Sequence, residues 1–163
     1  MKRKLILILP ALFFTLIFAT CRKDPGPITD FYFQCKINGK NYILALGNNI
    51  TCEILADTTL LLGGNIGFQA LGIGIINITE KPTKDTVFIL DNNPRCGATY
   101  KNSTITYDKY DTDSLYTGQL HIIILNKINK IIQGTFHFKA YNSYRNDSVS
   151  VTDGVFRLHY IIS

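Results

Sequence analysis

Tryptophan is missing from the 163 residues, and charged side chains make up only 18% of them. Lysine and arginine outnumber the acids 17 to 12, yet they are scattered, with no stripe or basic-aromatic cluster that could track a phosphate backbone. Nucleic acid is therefore not an expected partner. No segment beyond residue 18 carries the apolar stripe of an amphipathic helix. Gly72 and Gly74 form neither GxGxxG nor a P-loop, so a phosphate cradle is not expected. There is no G-x-S-x-G elbow and no Cys-His signature, and no cysteine spacing suits a metal. These absences point away from an enzyme and imply no cofactor.

What is present begins with an address. MKRK precedes about 14 apolar residues, LILILPALFFTLIF, within the ~7–15 of a secretion signal and short of the ~20 that span a bilayer. Ile17-Phe18-Ala19-Thr20-Cys21 resembles the lipobox of bacterial lipoproteins, in which cleavage precedes the cysteine and its sulfur carries a diacylglycerol. That resemblance implies lipidation at Cys21 and a membrane partner through the N-terminal lipid. An ordinary secreted protein is the alternative. Residues 22–27, RKDPGP, have nothing apolar to bury and two prolines, as an extended tether would. The expected organisation is a signal over 1–20, a lipidated cysteine and tether over 21–29, and one domain over 30–163. Without Lys2, Arg3 and Lys4, 14 basic side chains face 12 acidic ones, so the net charge falls from +5 to +2.

The rest reads as strands and turns. FYFQCKI-NG-KNYILA is a hairpin turning at Asn38-Gly39, which sets Ile37 against Lys40, Cys35 against Tyr42 and Phe33 against Leu44. TCEILA, TTLLLGG and GFQALGIGIINIT follow, then TVFIL. Gly72 and Gly74 alternate with Leu71, Ile73 and Ile75, a pattern of a bend or of close backbone approach. ATYKNSTITYDKY, residues 98–110, alternates as one further strand. GQLHIIIL, IIQGTFHFKAY and SVSVTDGVFRLHYII complete the chain. Many short strands joined by turns argue for an all-β fold, an antiparallel β-sandwich with a C-terminal β-meander, with an up-and-down β-barrel as alternative. In an oxidising compartment Cys52 and Cys96 are the preferred disulfide pair, since Cys35 lies on an apolar strand face.

KINGKNY, YTGQLHIIILNKINKIIQGTFHFKAYN and VSVTDGVFRLHY together resemble the small all-β outer-membrane lipoproteins of Bacteroidota that carry a domain of unknown function. The resemblance covers most of the chain past the signal and implies a lipid-anchored domain in the outer membrane, facing the periplasm or the cell surface. It brings no catalytic residues. Asp-Ser/Thr triplets at Thr58, Thr86, Ser114 and Ser148 resemble the O-glycosylation sequon of exported proteins in that phylum; ordinary turn composition is the alternative.

Two constellations remain. A three-residue loop over 128–130 would pair Leu120, Ile122 and Ile124 with Phe138, Phe136 and Gly134, and would set His121 opposite His137. Such a pair can ligate Zn²⁺ or Cu²⁺, although two solvated imidazoles are the simpler reading. Asp108, Asp111 and Asp113 make an oxygen-rich loop that lacks the glycine and distal glutamate of an EF-hand, so a solvated turn is expected over calcium. The function expected is a non-enzymatic binding or structural module for a glycan, peptide or envelope protein. A hydrolase or metal enzyme on the same scaffold, and an accessory subunit of an outer-membrane complex, are the alternatives.

Overall fold

The computed structural model describes residues 31–44, 49–56, 58–76, 85–93 and 95–163. The signal, Cys21 and the tether lie outside the described residues. Among those described are β1 (Tyr32–Ile37), β2 (Lys40–Leu44), β3 (Ile50–Leu55), β4 (Thr59–Ile66), β5 (Gln69–Ile75) and β6 (Thr86–Leu90). Then come β7 (Cys96–Lys101), β8 (Lys109–Asp111), β9 (Gly118–Asn126), β10 (Ile131–Asn142), β11 (Asp147–His159) and β12 (Ile161–Ile162). They form one continuous sheet in the order β12-β3-β4-β5-β7-β8-β10-β11-β1-β2, and β6 joins through β9, which shares an edge of β10 with β8. The sheet curls into a half-barrel, so the all-β reading holds. The first hairpin keeps the expected register, with Asn38 and Gly39 at φ 48° and 78° in its turn. β9, β10 and β11 form the C-terminal meander.

Alternation puts one side of β1 to β11 inside the curl, while both residues of β12 are exposed. Phe33, Leu44, Leu60, Ile75, Leu120 and Phe156 are among the fully buried side chains. The motifs behind the family resemblance explain themselves here. Gly134 lies opposite Phe156, and Gly154 lies opposite Phe136, so GTF and GVF meet as mirror images across β10 and β11. A Cβ on Gly134 would stand 2.8 Å from the Phe156 ring, and one on Gly154 would stand 2.6 Å from that of Phe136. Gly118 lies opposite Phe138, where a Cβ would stand 2.2 Å from the Phe138 Cβ. Gly134 and Gly154 leave the room that a phenyl ring fills, and Phe33 stacks on Phe136 with centroids 5.1 Å apart. Thr152-Asp153, just before Gly154, carries a bulge in β11, with Asp153 at φ 52°.

Several expectations are corrected. Residues 98–110 are not one strand. β7 ends at Lys101, a 3-10 turn spans Thr106–Asp108, and β8 returns beside β7 with Tyr100 opposite Tyr110. The intervening loop is held from below: the side-chain amide of the buried Asn142 donates to the Tyr107 carbonyl at 2.6 Å. Not every strand pair is antiparallel, because β12 runs parallel to β3. The β9–β10 loop is four residues, since Ile131 pairs with Asn126, whose side chain accepts from Ile128 N and Asn129 N. That shift by itself would turn Leu120 and Ile122 outward; a bulge at Ile123 restores their inward face.

The two ends of the curl differ. Phe31, where the described chain enters, packs on His159 with ring centroids 4.4 Å apart, beside the β9–β10 turn. The β1–β2 turn, the β4–β5 turn, the 102–108 loop and the 143–146 turn gather at the opposite end.

Candidate functional site

The residues singled out from the sequence are dispersed by the fold. His121 lies opposite Thr135 and His137 opposite Gln119, so the two histidines are diagonal neighbours rather than a facing pair. His121 Nε2 instead lies 4.0 Å from Asp85 Oδ1. Among the described residues no three His, Cys, Asp or Glu side chains gather as a metal site would require. The three aspartates go separate ways. Asp108 is buried, accepts from Ser103 Oγ at 2.6 Å and pairs with Arg145. Asp111 pairs with Lys109 at 2.9 Å and accepts from Thr99 Oγ1. Asp113 caps its own turn, accepting from Leu115 N and Tyr116 N at 2.7 Å. An oxygen cage for calcium therefore does not form from them.

Cys35, Cys52 and Cys96 are free thiols, which corrects the expected Cys52–Cys96 bridge. Cys52 is level with Leu62 on β4, Ile73 on β5 and Ala98 on β7, whereas Cys96 sits two residues from Ala98. Three strand spacings of ~4.8 Å separate their strands, beyond the ~7 Å limit for a disulfide. Burial pushes the Cys35 and Cys52 thiols up to about 12, and burial followed by the Asp91 charge raises Cys96. These are thiols held neutral, not nucleophiles.

The four glycosylation candidates spread over the surface. Ser114 is exposed in the β8–β9 loop and Ser148 is exposed near the start of β11. Thr58 is half-buried in the β3–β4 turn and Thr86 opens β6, also half-buried. Asp57, which precedes Thr58, lies outside the described residues.

The fold instead builds a groove of about 710 Å³ on the outward face of β3, β4, β5, β7 and β8. Its floor follows from register. One row across the strands reads Thr51, Gly63, Gly72, Thr99, Asp111, and the next reads Glu53, Leu61, Gly74, Gly97. Glycine thus occupies adjacent positions on three neighbouring strands, leaving bare backbone where other sheets carry side chains. Gly63 is required by the packing, because a Cβ there would stand 2.2 Å from the Leu71 carbonyl oxygen. Gly72 and Gly74 are different. A Cβ on Gly72 meets nothing within 4 Å, one on Gly74 meets only Leu61 Cδ2 at 3.8 Å, and neither has a positive φ.

The walls are polar and basic. Arg95 stands at one end of β7 and Lys101 at the other, about 20 Å apart at ~3.3 Å per residue. Lys109 lies next to Lys101 and is matched by Asp111, so Arg95 and Lys101 are the lining cations without an ion-pair partner among the described residues. Asn49, Asn65 and Asn92 offer amides along the rim, and Leu61 and Ile76 offer apolar edges.

A second pocket of about 320 Å³ opens at the end away from Phe31, lined by Tyr42, Tyr100 and Tyr110. Two of its hydroxyls are engaged: Tyr42 donates to the Gly64 carbonyl at 3.1 Å and Tyr100 to Asn102 Oδ1 at 3.1 Å. Burial is the first cause raising all three phenols. This is the plugged mouth of the core rather than a second site.

Sequence reasoning saw Gly72 and Gly74 but assigned them to a bend or a close approach. The available signal was that both lie on the same strand face. What turned that into a groove was knowing that Gly63 and Gly97 lie on the flanking strands.

Among the described residues the protein is, in class, a curled all-β domain with a grooved outer sheet face. Residues 29–158 match the model of DUF6252, a domain of unknown function, and the chain belongs to that family. No curated protein matches the chain, and no solved structure does.

Proposed function

We propose that the protein is a lipid-anchored lipoprotein of the cell envelope, of the kind found in Bacteroidota outer membranes, and that it serves as a non-enzymatic binding module. The observation that carries the binding role is the floor of Gly72 and Gly74, kept bare although neither packing nor backbone angle demands it. Glycine within a strand costs roughly 0.5–1 kcal/mol relative to alanine. A solvent-facing strip that forgoes this stability on two adjacent positions is accounted for by a ligand that needs the space.

The anchor rests on the lipobox-like residues 17–21 and the tether-like residues after them. Several acyl chains at ~0.8 kcal/mol per buried CH₂ hold a domain at a bilayer where one chain would not. Because Phe31 enters beside His159, a tether ending there leaves the 102–108 loop and the 143–146 turn at the far end, with the groove along the flank.

Metabolic labelling with an alkyne palmitate analogue, in a bacterium that processes lipoproteins, tests the anchor. The wild-type chain is expected to take up label and fractionate with membranes, and Cys21→Ser to do neither. Unlabelled wild-type protein in the soluble fraction would overturn the anchor.

A further inference from the structure

The groove has a shape and a charge pattern that together select a ligand class. This inference rests on the binding role proposed above and names what the site takes. We infer that the outer groove binds an acidic saccharide, with its rings lying on the Gly72–Gly74 floor and its carboxylates reaching Arg95 and Lys101.

Charge complementarity is the first argument. Arg95 and Lys101 line opposite ends of the groove and neither has an ion-pair partner among the described residues. Lys109 is neutralised by Asp111, which Thr99 also engages. Two other acids lie nearby but do not line the groove, and each keeps its charge: Glu53 accepts from Ser163 Oγ, and Asp91 Oδ1 accepts from Asn93 N at 3.0 Å. The ~20 Å between them is a backbone separation, and their long side chains can reach inward to anionic groups set closer together on an elongated ligand.

The floor chooses between a saccharide and a peptide. β5 pairs with β4 on one side and β7 on the other, so its backbone N–H and C=O groups are spent in the ladder. A peptide laid on this floor would bury its own amides with nothing to bond to, at roughly 1–3 kcal/mol each. A sugar presents C–H faces to the floor and directs its hydroxyls sideways. At the rim those hydroxyls meet the amides of Asn49, Asn65 and Asn92 and the hydroxyl of Thr51. Bare glycine lets a ring approach the sheet more closely than any side chain would permit.

The test is calorimetric titration of the full chain, purified in detergent micelles, with tetragalacturonate. Its methyl-esterified, uncharged form and polyglutamate serve as comparisons. Tetragalacturonate is expected to bind saturably, more weakly as salt rises, and the ester about tenfold more weakly still. Arg95→Ala and Lys101→Ala are each expected to cost about tenfold in affinity, as for a charged hydrogen bond. Gly72→Val fills the floor and is expected to abolish binding with no fall in the melting midpoint. Tetragalacturonate binding that Gly72→Val leaves intact overturns the site assignment. Polyglutamate binding lost in Gly72→Val, with no response to the saccharide, overturns the ligand class but leaves the binding role. No Gly72-sensitive binding of any of the three overturns both.

Discussion

Two sets of glycines in this molecule do opposite things. Inside the curl, Gly118, Gly134 and Gly154 each face a phenylalanine across the strand pair, and the volume a side chain would have taken is filled by its ring at Gly134 and Gly154 and by its Cβ at Gly118. On the outer face, Gly72 and Gly74 leave a volume that nothing in the described chain fills. The same residue type is thus a packing element in one sheet region and a surface shape in another. What separates them is the atom nearest the absent Cβ, a distinction that composition does not carry.

The largest effect should come from disturbing the filled set. Gly154→Ala places a Cβ 2.3 Å from the Phe136 carbonyl oxygen, and Gly134→Ala places one 2.1 Å from that of His121. Each is expected to cost about 3 kcal/mol and lower the melting midpoint on the order of 10 °C, read by circular dichroism. A wild-type midpoint in both variants would break the packing half of the comparison.

Gly63→Ala sharpens it, because Gly63 belongs to the groove but abuts the Leu71 carbonyl. We expect an intermediate loss of about 2 kcal/mol in urea unfolding.

Thiols probe the burial of the inner face chemically. At neutral pH a maleimide should modify the half-buried Cys96 first and leave Cys35 and Cys52 unreacted until unfolding, as counted by mass. Cys35 and Cys52 ionise from 9.0 unfolded but hold their protons to about 12 folded. Their contribution to stability is complete below pH 9 and is lost as pH rises toward 12, by about 1.4 kcal/mol per thiol per pH unit. A stability flat from pH 8 to 11 would contradict this burial.

Local chemistry was legible and long-range pairing was not. Asn38-Gly39 fixed its hairpin in full, since the turn and both strands lie within one stretch of chain. The all-β class and the terminal meander followed from alternation. The His121–His137 pair failed because register depends on a bulge at Ile123 that no pattern announces. The Cys52–Cys96 bridge failed because strand order places two strands between them. Residues 98–110 alternate well enough to pass for one strand, yet Asn142, far along the chain, pins Tyr107 and closes a loop there. The groove needed three strands brought together before its glycines formed a floor.

The central claim is that Gly72 is kept for the space above it and not for the fold. Thermal unfolding of Gly72→Val beside wild type tests this most directly. A valine there gains strand propensity and its Cβ meets nothing within 4 Å, so the midpoint should be unchanged or rise, by up to about 1 kcal/mol of added stability. A Gly72→Val midpoint lowered as far as that of Gly154→Ala would show that the fold itself requires the glycine, and the case for a ligand groove would fall with it.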